Sequence, residues 1–591
     1  MSTLRKLSFI LSRREKVQIF LLVMLMLIGA VLETFGIGLL IPFISQLNDP
    51  DFVYKNAKIL WVYQSVGMTS PREFLIWSCI ALIGFFIFKN AYMFLLYFIQ
   101  HRFIYDRRAL MDVRMFKNYL ERPYIVHLQR NSAEFLQNLH STVNIVYGHV
   151  VLQTLTLLTE GLIIAGICIL LIAFEPYIAL AAFAVFGSLA LAFNYIFFRK
   201  RIEEYGKKHY YHSGQLYKIF NQSFGAVKEI KVMGREPFFT DVVKGHAVSQ
   251  GKVDTMFSLI NISPRIFIET VTVLLILVIV VIIQLRSSSL GSVLPVLALF
   301  AIAAFRLMPS FARVNSAVAN IRSGKAYVDE LYKDLIYDNN AGFETGTQVP
   351  SFSSAHTDSG GNGGKYGNYI VVSEMSYKYP GAREFSFNNI SFSIPKNSSV
   401  ALVGESGAGK TTLADIILGL LRPTKGVISV EGKDIFSDLR GWQRKIGYIP
   451  QTINLLDDSI RRNIAFGVTD SEINDIKVWK ALEAAQLKSF VERLPEGLDT
   501  IIGERGARLS GGQRQRIGIA RALYCEPEVL ILDEATSSLD SDTESEVMKA
   551  IADIKGKKTI IIIAHRLSTI QSCDTVFEIY NGKLLNTVNR K

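Results

Sequence analysis

The chain has 591 residues, half of them hydrophobic, and a formal net charge of +12. It is too long for one core and suits two domains of roughly 300 residues each, and its apolar residues concentrate before about position 315, which excludes a soluble globule for the first half. The Lys and Arg residues cluster in loops between apolar runs rather than along one soluble face, which excludes a nucleic-acid partner, and the unpaired spacing of Cys79, Cys168, Cys525 and Cys573 excludes a disulfide framework or a zinc site.

The N-terminus carries Arg5, Lys6, Arg13, Arg14 and Lys16 and runs, with no small-residue cleavage site, into an apolar stretch too long for a signal peptide. It is read as retained. Six apolar stretches are long enough to cross a bilayer as helices, at 17–45, 74–100, 149–174, 176–199, 257–284 and 291–313. The basic N-terminus and the segment 101–148, with Arg102, Arg107, Arg108, Arg114, Lys117, Arg122 and Arg130, belong in the cytoplasm. An even number of spans returns the chain to that side. Between the first two spans, DFVYKNAKILWVYQSVG interleaves aromatic and polar residues and reads either as a short amphipathic helix at the outer surface or as a plain loop.

The polar segments 101–148 and 200–256 read as helical extensions of the spans, broken near RPYIVHLQRNSAE and FNQSFGAVKEIKVMGRE. Loops of this length without a function are uncommon, so the breaks are read as places where the membrane helices meet a soluble domain. The membrane domain is assigned to 1–330. A flexible linker is expected over 331–367, where DNNAGFETGTQVPSFSSAHTDSGGNGGKYG is dense in Gly, Ser, Asn and Asp. Apolar runs such as YIVVSEMSY and SSVALVG, alternating with helical patterns, indicate an α/β domain over 368–591.

Within that domain Gly404-Glu405-Ser406-Gly407-Ala408-Gly409-Lys410-Thr411-Thr412 lies between the strand SVALV and the helix TTLADIILGLL. Strand, glycine loop and helix start are the context of a phosphate-binding loop. The glycines let backbone N–H groups turn inward, Lys410 reaches phosphate oxygens, and the Thr411 hydroxyl suits Mg²⁺. Further on, VLILDEATSSLD delivers Asp533 and Glu534 at a strand end. The first carboxylate is placed to hold Mg²⁺ through water and the second to polarise the water that attacks a phosphate. The expected cofactors are ATP and Mg²⁺.

LSGGQRQR, from Leu509 to Arg516 and just before that strand, resembles the signature of the ATP-binding cassette family. Ser510, Gly511, Gly512 and Gln513 open a helix whose amides and positive dipole end form an anion site. In the family this site completes the phosphate loop of an opposing subunit, so the resemblance implies a second copy of the chain, or a close paralogue, as partner. It also implies roles for single residues: Tyr379 in SYKYP stacking on adenine, Gln451 in YIPQ sensing Mg²⁺, Asp540 in SSLD at the dimer contact, and His565 in IIIAHRLS contacting the γ-phosphate. The fold class is then an α-helical transmembrane domain of six spans, exporter-type, fused to an α/β P-loop nucleotide-binding domain. The protein is expected as a multi-pass protein of the bacterial inner membrane with the nucleotide-binding domain in the cytoplasm.

Lys89, Arg265 and Arg306 interrupt the second, fifth and sixth apolar spans, where an ionisable group is costly and is by default a functional candidate. Counting ~1.5 Å per residue from the outer span ends places all three in the inner half of the bilayer, which suits an anionic headgroup from the cytoplasmic leaflet. The plainer reading is charge pairing, Arg265 with Glu269 on one helix face and another cation with Glu33 or Glu160, while Lys89 could snorkel.

ETFGIGLLIPF, SPRIFIET and AAFRLMPSFARV resemble membrane segments of the bacterial flippases that move lipid-linked oligosaccharides for protein N-glycosylation, although Lys89 stands where an arginine is expected. The implied cargo is a polyprenyl-pyrophosphate glycan, a membrane lipid with a lipid-linked glycan headgroup. A lipid A-core flippase and a multidrug exporter share every ATPase motif and stay open. An ATP-gated channel and a non-transporting cassette ATPase are the readings from other classes.

Overall fold

The computed structural model describes every residue except 1–2, 11, 49–51, 56, 66, 68–69, 175, 178, 181–182, 185–187, 189–198, 287–289, 345–367, 534–540, 565–569 and 590–591. The chain divides into two units, Met1–Arg122 with His127–Phe352, and Ser353–Lys591 with Pro123–Val126.

The first unit is helical. A short helix α1 (Thr3–Ile10) leads into α2 (Arg13–Asn48), α3 (Ala57–Ser65) and α4 (Pro71–Glu121). At ~1.5 Å per residue α4 is ~77 Å long, more than twice the hydrocarbon thickness, so its basic second half extends beyond the bilayer. It opens on Ser70, whose hydroxyl accepts from the Glu73 N–H at 3.3 Å, followed by Pro71. It stops at Arg122, held extended because Pro123 follows.

After α5 (Tyr124–Gln129) the chain re-enters helix as α6 (Ser132–Phe174), with π-helical turns at Asn138–Thr142 and Val146–Val151. Then come α7 (Arg199–Gly225), α8 (Val227–Met233), α9 (Glu236–Arg286), α10 (Leu290–Ser323) and α11 (Lys325–Glu344). Both breaks expected in the cytoplasmic extensions are therefore short helices, α5 and α8. The second ends on Gly234 in the left-handed conformation at φ 61°.

Among the described residues four helices are long and apolar enough to cross a membrane, within Arg13–Leu47, Pro71–Glu121, Ser132–Phe174 and Glu236–Leu274. The stretch 291–313 is helical within α10, and most of 176–199 lies outside the described residues. Met26, Leu96, Val143, Ile163, Ile167 and Ala303 form the core where α2, α4, α6 and α10 meet. A Cβ on Gly166 would stand 2.2 Å from the Thr34 hydroxyl, so glycine there sets how closely α2 and α6 approach. Phe20, Leu21, Ile83, Ile87 and Phe94 point outward, as bilayer-facing residues should.

One boundary differs from the sequence expectation. A flexible linker was expected from 331, but α11 continues as helix to Glu344, with Tyr327, Val328, Leu331 and Leu335 buried along one face. The apolar spacing of that face outweighs the polar composition that begins at 338. Residues 345–367 lie outside the described residues.

The second unit has two sheets. β1 (Asn368–Tyr377), β2 (Phe387–Pro395), β4 (Lys425–Val430) and β5 (Lys433–Asp434) form an antiparallel sheet in the order β2-β1-β4-β5. The other sheet contains β3 (Ser399–Val403), β6 (Ile446–Ile449), β7 (Val529–Asp533), β8 (Thr559–Ile563), β9 (Thr575–Tyr580) and β10 (Lys583–Asn589), in the order β10-β9-β3-β8-β7-β6. From β9 to β6 the strands are parallel. β7 and β8 are buried at every position, so they read as continuous apolar runs rather than alternating ones. The helices that matter to the site are α12 (Lys410–Ile417), α13 (Ile460–Ile464) and α14 (Asp475–Ala484), then α15 (Gly511–Tyr524) and α16 (Ser541–Ala552).

Candidate functional site

The parallel order brings segments far apart in sequence to one sheet edge. β3, β8, β7 and β6 all end there, and in open α/β sheets ligands bind beyond the carboxyl ends of the strands. The glycine loop follows Val403 at the end of β3, Asp533 closes β7 opposite Ile563 of β8, and Gln451 lies two residues beyond β6. Glu534, Asp540 and His565 lie outside the described residues.

The loop from Gly404 to Gly409 turns sharply, with Gly404, Gly407 and Gly409 at φ 152°, 85° and 96°. A Cβ on Gly404 would stand 2.0 Å from the Ile579 carbonyl oxygen, so no other residue fits there. Lys410 opens α12 with its side chain folded back over the loop, its ammonium donating to the carbonyl oxygens of Gly404 and Glu405, each at 2.8 Å. A buried ammonium over a sharply turned glycine loop at the start of a helix is a donor set that fits a polyphosphate. Thr411 and Thr412 sit in the first turn of α12, and the Thr412 hydroxyl lies 3.2 Å from the Tyr379 hydroxyl. Tyr379, half-buried, packs edge-on against Tyr377 with 5.0 Å between ring centroids. Ser406 is exposed and Ala408 buried under the loop.

Asp533 is buried at the end of its strand, where a carboxylate suits a divalent cation held through water. Near it is a carboxyl that sequence reasoning missed: burial and the Asp533 charge push Asp415 of α12 up to about 6. Ordinary helical spacing gives no sign of it.

Ser510 caps α15. Its hydroxyl accepts from the Gln513 N–H at 3.2 Å, and the Gln513 side-chain oxygen accepts from the Ser510 N–H at 2.8 Å. This capping box satisfies two amide donors at the helix start. Ser510 and Gly511 are exposed, Gly512 is buried, and the tip presents itself to solvent. At the other end of α15, Arg521 donates to the Asn463 carbonyl at 2.8 Å, the Asn463 side-chain oxygen at 3.0 Å and the Asn454 carbonyl at 2.9 Å, with Phe466 beneath it. Arg521 thus fastens the signature helix to the segment that follows Gln451. No local motif marks it.

In the helical unit, Lys89 of α4 and Arg306 of α10 come together on Glu33 of α2. The Lys89 ammonium is 3.0 Å from the Glu33 carboxylate and Arg306 donates to the other oxygen of the same group. Lys89 is buried rather than snorkelling. Arg265 is exposed on α9, and among the described residues no ion pair joins it to Glu269. A second pair, unassigned from sequence, links Arg313 of α10 to the fully buried Glu160 of α6 at 2.5 Å.

Residues 17–246 match the family described as ABC transporter transmembrane region and residues 387–537 match the family described as ABC transporter. The chain therefore joins a membrane region of the ABC transporter type to a cytoplasmic region of the same type, a multi-pass membrane protein with the fold of an ABC exporter and a site for ATP and Mg²⁺.

Among its relatives, the ATP-dependent lipid A-core flippase of Haemophilus influenzae (strain 86-028NP) is 42% identical over 226 residues, 38% of this chain and 38% of that protein. The similarity to such relatives thus spans less than two-fifths of their length. The protein of the same name from Thiobacillus denitrificans is 27% identical over 532 residues, 88% of this chain and 87% of its own. A solved structure described as a bacterial Atm1-family ABC exporter with ATP bound matches 98% of this chain and 95% of its own at a TM-score of 0.69 and 21% identity, a likeness of fold.

Proposed function

We propose that the chain, paired with a second copy or a close paralogue, hydrolyses ATP to move a phosphorylated, lipid-anchored glycan from the cytoplasmic to the outer leaflet of a bacterial inner membrane. The observation that carries the energy source is the Lys410 ammonium folded over the glycine loop at the sheet edge it shares with Asp533. Bound Mg²⁺, for which Thr411, Gln451 and Asp533 are the candidate holders, supplies charge neutralisation at the phosphate oxygens. Lys410 and the loop amides bind phosphate, Tyr379 stacks on the base, Glu534 orients the attacking water, His565 reaches the terminal phosphate, and Asp540 stands at the dimer contact. The tip at Ser510, Gly511, Gly512 and Gln513 of one copy covers the loop of the other and excludes bulk water.

The cargo reading rests on charge. One carboxylate, Glu33, faces two cations, Lys89 and Arg306, leaving one positive charge in excess inside an apolar bundle. Such a surplus favours an anionic group on an amphiphile and disfavours an uncharged drug. The relatives named lipid A-core flippases support a phosphorylated glycolipid, and a polyprenyl-pyrophosphate oligosaccharide offers the same phosphate chemistry.

Purified protein in liposomes, assayed for ATP turnover and lipid movement against lipid A-core, a polyprenyl-pyrophosphate oligosaccharide and a hydrophobic drug, tests the proposal. Movement of either phosphorylated lipid at the expense of ATP is expected, and the preferred one names the cargo. Movement of the drug alone, or lipid movement without hydrolysis, overturns it. Glu534→Gln should keep ATP binding and lose steady-state turnover.

A further inference from the structure

Asp334, on the last helix before residues 345–367, has no exposed surface, yet it is a carboxylate. Two other stretches of the helical unit converge on it. The Tyr119 hydroxyl and the Asn138 side-chain amide donate to one oxygen at 2.6 and 3.0 Å. Arg130 donates to the other at 2.7 Å, with Arg122 3.5 Å away, and Arg122 also donates to the Asp334 main-chain carbonyl at 3.0 Å. A carboxylate offers about four acceptor positions, so this one is fully used. The Arg122 guanidinium also lies over the Tyr119 ring at 4.7 Å, and Phe135 packs on that ring at 4.8 Å.

The donors flank one short segment. Tyr119 and Arg122 precede Pro123–Val126, and Arg130 and Asn138 follow it. Those four residues group with the second unit, where Tyr124 and Ile125 lie against the cluster of Tyr377, Leu413 and Ile417. Asp334 is therefore tied to both shoulders of the segment that belongs with the cassette, and the helix that carries Asp334 is also the one that leads covalently toward the cassette. α1 clasps the same helix, with Lys6 2.7 Å from Asp329 and Phe9 edge-on to Tyr332.

We infer that Asp334 is a positioning residue for energy coupling: it locks the shoulders of Pro123–Val126 to α11, so that the segment and the covalent connection to the cassette move together. This rests on the proposed ATP-driven transport. Asp334 touches neither nucleotide loop nor membrane charge cluster, so its loss disconnects the two activities without disabling either.

The test uses full-length protein in proteoliposomes containing lipid A-core or a polyprenyl-pyrophosphate oligosaccharide, comparing wild type with Asp334→Asn and Arg130→Gln. Basal ATP turnover of Asp334→Asn is expected to stay at the wild-type level while lipid moved per ATP falls about fivefold or more, the lower range of coupling between linked sites. Arg130→Gln, at a partly exposed position that folding tolerates better, shifts the same ratio in the same direction, and the double variant is no worse than Asp334→Asn. An unchanged ratio in both variants, or a proportional loss of both activities with a lowered melting temperature, overturns the inference and leaves the transport reading standing. Wild-type protein that moves neither lipid overturns the transport reading, and the inference falls with it.

Discussion

Glu33 holds the Lys89 ammonium 3.0 Å away across the α2–α4 interface and accepts from Arg306 on its other oxygen, so a single carboxylate pairs with cations from two further helices. All three charges sit among apolar helices, where removing one partner of a buried pair costs about 3–5 kcal/mol because the other is left unpaired. Glu33→Gln strands two cations and should lower the melting temperature of detergent-solubilised protein more than Lys89→Gln, which leaves Glu33 its arginine. The double variant should recover part of the loss. Equal melting temperatures for wild type and Glu33→Gln would show that the pairing contributes nothing.

This cluster also marks where the sequence stops being legible. The glycine loop is a contiguous run whose backbone is set by local spacing, so its turn between a strand and a helix start at Gly404 to Thr412 could be read before any fold was known. The long apolar helices were legible for the same reason. The pairing of Lys89 and Arg306 with one particular carboxylate depends on how three helices align in rotation and height, which composition does not encode. Glu33 was only one of two candidates, and Arg313 with Glu160 went unassigned. Asp334 was missed for a different reason, because the polar stretch beginning at 338 drew the linker boundary back to 331 and hid the apolar face of Tyr327, Val328, Leu331 and Leu335. Arg521 escaped notice because its acceptors are mostly main-chain carbonyls, which carry no sequence signal.

Lys410 donates to the Gly404 and Glu405 carbonyls, and binding phosphate should redirect these hydrogen bonds. Hydrogen bonds to charged groups are worth about 1.5–3 kcal/mol, so Lys410→Ala should weaken ATP binding by about 10- to 100-fold. Equilibrium titration with a fluorescent ATP analogue measures this. An unaltered affinity would remove Lys410 from the site.

Ser510 has two separable duties. As the N-cap of α15 it accepts from Gln513, and Ser510→Ala should cost about 1 kcal/mol of cassette stability through the lost cap. Ser510→Asp keeps a good cap but places a carboxylate where the proposal seats a phosphate. It should therefore melt like wild type while hydrolysing ATP about 10²-fold or more slowly, the effect of spoiling one oriented donor site. Wild-type hydrolysis by Ser510→Asp would separate the helix tip from the nucleotide.

Asp415 makes cassette stability depend on pH in a direction opposite to that of most carboxylates. Its carboxyl is raised from 3.8 to about 6 by burial and by the Asp533 charge, so between those values the folded protein holds a proton that the unfolded chain has released. Stability from this group is complete below about pH 4 and is lost as pH rises through about 6. The shift corresponds to ~3 kcal/mol at full burial, and partial exposure reduces it to about 1–2 kcal/mol. Asp415→Asn, which keeps the shape and drops the charge, should raise the nucleotide-free melting temperature at pH 7.5 and flatten its decline between about pH 4 and 7. Calorimetric scans of both proteins across that range decide the matter. A variant that melts with wild type at pH 7.5 and shows the same decline would mean that Asp415 titrates at an ordinary value and that Asp533 exerts no appreciable field on it.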